Sequence, residues 1–215
     1  MTEFKNKKLC IIGAGGFGRE VLSSFKETFL LLGKQIEKEV VFMDDDPKFR
    51  NTEVLGIPVI STTEFNPSEY DVVIAVGDSN IRKKIVEELP KETTYKTLIH
   101  PSAIIMEDCN IGIGSIVTAG CIATSNITIG EHSHLNLNTT IGHDCEIGNY
   151  FTTAPGVHIS GECTIGNNVY FGTNASVRQG INICSDVIIG MGGVVVKHIE
   201  ELGVYIGNPL KKLSK

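Results

Sequence analysis

The sequence predicts an α/β unit with a parallel sheet over residues 1–98, followed by a parallel β-helix of hexapeptide repeats over residues 99–215. Two observations carry this reading. Apolar side chains recur every six residues from Ile99 to Val195, and upstream of them short apolar runs alternate with segments of helical periodicity.

The first run, KLCIIG from Lys8 to Gly13, reads as a buried strand. GAGGFG, from Gly13 to Gly18, follows it directly and opens a segment with Val21, Leu22, Phe25 and Phe29 at helical spacing. VVFMDDD from Val40 to Asp46 reads as a second strand, GIPVI from Gly56 to Ile60 as a third, and VVIAVG from Val72 to Gly77 as a fourth. The fourth leads into a helix, NIRKKIVEEL, from Asn80 to Leu89. Such alternation predicts a Rossmann-like parallel sheet whose ligand site lies beyond the carboxyl ends of its strands, where Gly13 to Phe17, Asp44 to Asp46 and Gly77 fall. Amides at a helix start, aided by the helix dipole, favour a phosphate. A carboxylate at the end of the second strand can accept hydrogen bonds from a ribose or a base. The same glycine spacing also suits a tight turn with no ligand, and it equally suits an NAD-dependent oxidoreductase. Against the latter, the unit ends after about 95 residues, short of a full doubly wound sheet.

From Ile99 onward, fifteen of the seventeen positions reached by steps of six are large and apolar, Ala123 and Thr153 being the exceptions. Two residues earlier stands a second set, small or β-branched, which includes Cys109, Cys121, Cys145 and Cys163. Strand alternation puts both sets on one face, so these cysteines read as small core residues. Glycine follows the repeated position at Gly112, Gly130, Gly142, Gly148, Gly166, Gly172 and Gly190, where a turning chain is expected to need permissive backbone. A six-residue unit cannot bury its own apolar side chain, so units must stack. With three units per turn, residues 18 apart lie above one another: His134 over Thr152, Ser125 over His143, and His143 over Gly161.

The chain has 215 residues, a net charge of -6 and a pI near 5.5, which argues against a basic surface for nucleic acid or anionic lipid. No apolar run approaches the roughly 20 residues needed to span a bilayer, and the start, MTEFKNKKLC, lacks a cleavage-like region. A cytoplasmic location is expected. None of the six cysteines forms a Cys-x-x-Cys pair, which fits reduced thiols.

GAGGFG, MDDD, VIAVGDSNIRKKI, LIHPSA, IGHDCEIG and the closing VYIGNP, in that order, resemble the bacterial nucleotide-sugar acetyltransferases. These include the UDP-4-amino-sugar N-acetyltransferases and the related sialic acid O-acetyltransferases, all hexapeptide-repeat acyltransferases. The resemblance implies a left-handed, triangular β-helix, a homotrimer with active sites between adjacent helices, and transfer of acetyl from acetyl-CoA to a sugar for surface glycan synthesis. It places the general base at His143 and the acid that supports it at Asp144. Histidine titrates near neutrality and can take a proton from an attacking amine or hydroxyl while a carboxylate fixes its tautomer. Acetyl-CoA contacts map to Thr152, Gly161, Thr173 and Met191, with the Gly161 amide suited to an oxyanion. The nucleotide sugar maps to Gly15, Gly16, Phe17, Asp44, Asp45 and Gly77, and Asn136 and Asn138 could position its reacting group.

Phe17 and Thr152 stand where the UDP-4-amino-sugar enzymes carry histidine, which leaves the nucleotide sugar open. The match of VIAVGDSNIRKKI favours nitrogen over oxygen as the acceptor. No cysteine has a base beside it in sequence, so direct transfer without an acyl-enzyme is the economical route. No metal is expected. His132, His134, His143 and His158 nevertheless crowd adjacent coils, so a zinc β-helix enzyme is an alternative, although the spacing differs from theirs. A β-helix that serves only as a binding scaffold is another. His100, before Pro101, is assigned to the junction and His198 to a C-terminal cap.

Overall fold

A computed structural model describes residues 7–31, 33 and 35–213, so the leader region weighed above, residues 1–6, lies outside the described residues. The chain forms two compact units, Met1–Pro101 and Ser102–Lys215.

In the first unit, β1 (Lys8–Ile12), β2 (Val40–Met43), β4 (Ile57–Ile60), β5 (Tyr70–Ile74) and β6 (Thr94–Tyr95) are parallel, and β3 (Glu53–Val54) adds an antiparallel edge. The order is β3-β4-β2-β1-β5-β6, so β1 is central and its neighbours diverge to either side. Both β3 and β6 are additions to the expected sheet. The β3–β4 hairpin turns through Leu55 and Gly56, both at positive φ, as a two-residue hairpin requires. Helix α1 (Gly16–Leu31) lays Val21, Leu22, Phe25 and Phe29 into the core, as the spacing predicts. A short α2 (Ile36–Glu39) precedes β2. Helix α3 (Ser79–Glu88) is capped by Asp78, whose carboxylate accepts from the amides of Asn80 and Ile81. No helix among the described residues is long and apolar enough to cross a membrane.

The second unit is a parallel β-solenoid with 18 residues per coil, shown by pairs such as Ile122↔Thr140, Thr140↔His158 and His158↔Ser176. The six-residue set points inward, with Ile141, Ile159, Phe171 and Val177 all buried. Cys121, Cys145 and Cys163 are buried with them, and Cys109 is half-buried at the upper end. The exception Thr153 is also buried, and its hydroxyl bonds that of Thr139 and accepts from the Asn136 amide at 2.9 Å.

The glycines after the repeated position serve a purpose other than the one expected. None has positive φ; a Cβ on Gly112, Gly142 or Gly172 would instead lie 2.5 Å from backbone nitrogen of the next coil. Coils approach there too closely for a side chain. The left-handed turn falls two residues further on, at Asp108, Asn126, Asp144 and Glu162 on one corner, with Gly180 completing the column. Asn and Asp tolerate that conformation better than most residues. The 18-residue spacing holds to Val177↔Val195 and then shortens, because Ile183 bridges Ile199.

Candidate active site

One solenoid corner gathers the residues with chemistry. Asp144 takes the left-handed conformation, φ 59°, immediately after His143, and its Oδ2 lies 2.6 Å from His143 Nδ1. Asn126, one coil above, donates from Nδ2 to the other carboxylate oxygen at 2.6 Å. The hydrogen bonds from Asn126 and His143 hold the Asp144 carboxyl below its ordinary range. An ionised carboxylate only accepts, so Nδ1 carries the hydrogen and the Nε2 lone pair is free to take a proton. About half of each side chain is exposed, so the pair is open to a substrate.

Below His143 sits Gly161, buried and without a side chain. A Cβ there would lie 2.7 Å from His143 Nε2, so the glycine provides the space that the imidazole occupies. On another corner the equivalent amides of Glu131, Asn149 and Asn167 are each closed by a side chain from the next coil, Asn149, Asn167 and Ser185 respectively. Gly161 has no such closure, and its N–H donates to no described residue. A glycine amide beside a basic imidazole is suited to an oxyanion.

The other expected donor-binding residues do not share this corner. Thr173 and Met191 stack on the preceding one, where the amide of Gly192 donates to the Thr173 carbonyl, and Met191 is 79% exposed. Asn136 and Asn138 lie on that preceding corner too: Asn136 Oδ1 accepts from the Leu137 amide at 2.7 Å, and Asn138 turns at φ 58°. Thr152 pairs with His134 on a sheet strand, and both are buried. His158 Nδ1 is 2.8 Å from the Thr140 hydroxyl. The four histidines do not converge; among the described residues no three His, Cys, Asp or Glu side chains gather as metal ligands. Cys145 points into the core, where hydrogen bonding with Cys163 and burial push its thiol far up, away from nucleophilic use.

In the first unit, the glycines of GAGGFG divide by role. Gly13 has φ 100°, and a Cβ on Gly18 would lie 1.8 Å from the Gly13 carbonyl oxygen, so packing explains both. Nothing lies within 4 Å of a Cβ on Gly15, Gly16 or Gly77, so packing demands none of these three, and the exposed start of α1 is open to an anion. Phe17 lies in that first turn, half-buried. Asp44 accepts from the Ala14 amide at 2.8 Å and the Asp46 amide at 3.0 Å, so it braces the glycine loop. Asp45 accepts from the amide and hydroxyl of Thr62, which lower its pKa. Both acids, with Gly13, Thr62 and apolar Ile12, Met43 and Val76, line a cavity of about 290 Å³ at the carboxyl ends of the strands. The fully buried Arg82 donates to the Val76 carbonyl at 2.8 Å and steadies the strand end before Gly77.

Asn126, Thr62 and Arg82 escape the sequence reading. Asn126 could have been found, since it stands 18 residues before Asp144. Replacing Asp44 by alanine is expected to lower stability by about 2 kcal/mol, because hydrogen bonds to a charged acceptor contribute roughly 1.5–3 kcal/mol. A denaturant midpoint equal to wild type would show that the loop holds without this brace.

Residues 8–89 match the family model described as the PglD N-terminal domain. The chain is 31% identical over 155 residues to GDP-perosamine N-acetyltransferase of Escherichia coli O157:H7, a match covering 67% of this chain and 66% of that one, just under two thirds of the relative's length. It is 34% identical to the acetyltransferase domain of PglB from Neisseria gonorrhoeae FA1090 in complex with acetyl coenzyme A, with TM-score 0.86 over 97% of this chain and 100% of that one. It is 27% identical to PerB from Caulobacter crescentus in complex with CoA and GDP-perosamine, with TM-score 0.85 over 100% of both chains.

Proposed function

The chain belongs to the nucleotide-sugar N-acetyltransferases of the hexapeptide-repeat fold, and we propose that it transfers acetyl from acetyl-CoA to an amine on a nucleotide-linked sugar. The observation that carries the proposal is the corner where His143, Asp144 and Gly161 meet.

The substrate nitrogen attacks the thioester carbonyl carbon. His143 Nε2 takes the proton that nitrogen loses, Asp144 steadies the resulting imidazolium, and the Gly161 N–H donates to the oxyanion. As the tetrahedral carbon collapses, the carbon–sulfur bond breaks and the departing thiolate receives the proton from His143. No acyl-enzyme forms.

The first unit is assigned the nucleotide sugar. Phosphates are placed at the amides of Gly15, Gly16 and Phe17, and the base and ribose in the cavity lined by Asp44, Asp45 and Val76, with Gly77 the next residue in the chain after Val76. Because Asp44 already accepts from two amides, its contribution to the ligand is chiefly the shape of the loop. Acetyl-CoA is placed along the solenoid at Gly161, Thr152, Thr173 and Met191, with Asn136 and Asn138 near the acceptor. Residues on two separate corners make sense together in a homotrimer, where one subunit presents its His143 corner and a neighbour its Met191 corner. The exposure of Met191, Ile188 and Leu137 supports such burial. The cytoplasm, which supplies acetyl-CoA and nucleotide sugars, is the proposed location.

Thiol release from acetyl-CoA, followed with GDP- and UDP-linked 4-amino sugars and with sialic acid, tests the reading. Release with an amino-sugar nucleotide, and a product heavier by one acetyl group on nitrogen, is the expected result. Release with sialic acid alone would replace N-acetylation by O-acetylation, and silence with every acceptor would overturn the substrate class.

A further inference from the structure

The column of left-handed residues on the catalytic corner has one member unlike its neighbours. It runs Asp108, Asn126, Asp144 and Glu162, at φ 56°, 54°, 59° and 59°. Ionised carboxylates only accept hydrogen bonds, so Asn126, set between acids, is the member of this column with a side-chain N–H to give.

The coil fixes its place. The Ile127 amide donates to the Asp108 carbonyl at 3.1 Å and the Asp144 amide to the Ser125 carbonyl at 3.1 Å, so the Asn126 turn is stitched to the turns above and below it. Asn126 Nδ2 meets Asp144 Oδ1 at 2.6 Å, while Oδ2 of the same carboxylate meets His143 Nδ1 at 2.6 Å. Each oxygen is therefore held from one side. A half-exposed carboxylate without such a grip turns readily about its Cβ–Cγ bond and exchanges its partners for water.

The same ladder recurs away from the chemistry. On the next corner along the chain Asn168 Nδ2 donates to Asp186 Oδ1 at 2.7 Å, again across 18 residues and with both residues left-handed, at φ 59° and 61°. Ser185 precedes Asp186 there, so that ladder braces a turn and carries no base. On the catalytic corner the device grips an acid whose other oxygen is engaged by an imidazole, and the brace of the turn also sets the direction in which the acid faces.

We propose that Asn126 is a positioning residue for acetyl transfer: by holding Oδ1 of Asp144 it keeps Oδ2 on His143 Nδ1, and so keeps the hydrogen on Nδ1 and the Nε2 lone pair toward the acceptor. It acts through Asp144 and touches neither substrate. The proposal rests on the reading of His143 as the base.

Asn126→Gly tests it, because glycine accepts the left-handed backbone and removes only the side chain. Asn168→Gly is the matched control. Asn126→Gly is expected to lower kcat about tenfold, less than the roughly 10²-fold that a misplacement of about 1 Å can cost, since the acid remains. The KM for both substrates should stay within about twofold of wild type. Asn168→Gly should keep full kcat and show the same change in melting temperature as Asn126→Gly. In an Asp144→Gly background Asn126→Gly should cost nothing further, as for residues that act as one unit. Imidazole nitrogen chemical shifts provide a readout that needs no turnover. The His143 signal, identified by its loss in His143→Gln, should report hydrogen on Nδ1 in wild type and a mixture of both tautomers in Asn126→Gly. Full kcat in Asn126→Gly, an equal fall in kcat for Asn168→Gly, an effect confined to KM, an undiminished loss in the Asp144→Gly background or an unchanged tautomer overturns the proposal. A wild-type chain whose Nδ1 tautomer depends on Asn126 but which acetylates no amino sugar would overturn the proposed function and leave the positioning of His143 standing.

Discussion

His143→Ala is expected to lower kcat by about 10²–10⁴-fold, the range attributed to a positioned general base. The side chain is half exposed on a solenoid corner, and its bond to Asp144 is its only described polar contact, so removing it takes little from the core. The melting temperature should therefore move by no more than a few degrees, as for other surface substitutions. The KM for both substrates should change little, because the proton is transferred only in the transition state. Steady-state kinetics beside a thermal melt would separate these quantities. Retention of full kcat would remove His143 from the chemistry, and the Asp144–Asn126 arrangement would then be a turn device alone.

Much of this corner was legible because a solenoid converts sequence arithmetic into geometry. A step of six identifies the inward face, and a step of 18 places Ser125, His143 and Gly161 in one column. The same step identifies Asn126 over Asp144, but asparagine is common in turns, and only the 2.6 Å contact marks this one as a partner of the acid. Periodicity reports the face of a residue and is silent on how closely coils approach. For that reason the glycines after each apolar position read as conformational necessities, whereas steric exclusion explains them. The shortening after Val195 was hidden as well, since Ile199 is as apolar as a residue in the regular register would be.

The first unit was legible to a different depth. Long apolar runs announced β1, β2, β4 and β5, while the two-residue strands β3 and β6 are too short to show a period. Strand ends were correctly placed, yet the partners that each carboxylate already holds were hidden, because a side chain that braces a loop and one that meets a ligand have the same residue type and the same position. Asp44 accepts from the Ala14 and Asp46 amides, and Asp45 from Thr62, which leaves each carboxylate further acceptor capacity. The open glycines Gly15, Gly16 and Gly77 are therefore the stronger sign of a ligand, since packing demands none of them.

Gly161→Ala provides the second large effect, through space and not through chemistry. The backbone at Gly161 does not have positive φ, so alanine is tolerated there conformationally, and the atoms nearest its Cβ all belong to the His143 ring, at 2.7, 2.8 and 3.0 Å. A separation of 2.7 Å cannot persist, and the imidazole, at the end of a side chain, is what must move. Misplacing a catalytic group by about 1 Å can cost about 10²-fold, so kcat/KM is expected to fall by about that factor while the fold persists. Gly142→Ala is the instructive contrast: its Cβ would lie 2.5 Å from the backbone nitrogen of Gly161, and coil backbone cannot rotate aside. That variant should lose stability together with activity. Parallel unfolding curves and kinetics of the two variants distinguish the cases. Equal stability losses would mean that Gly161 is needed by the coil, whereas an active Gly161→Ala enzyme would mean that the imidazole reacts from a position other than the one bonded to Asp144.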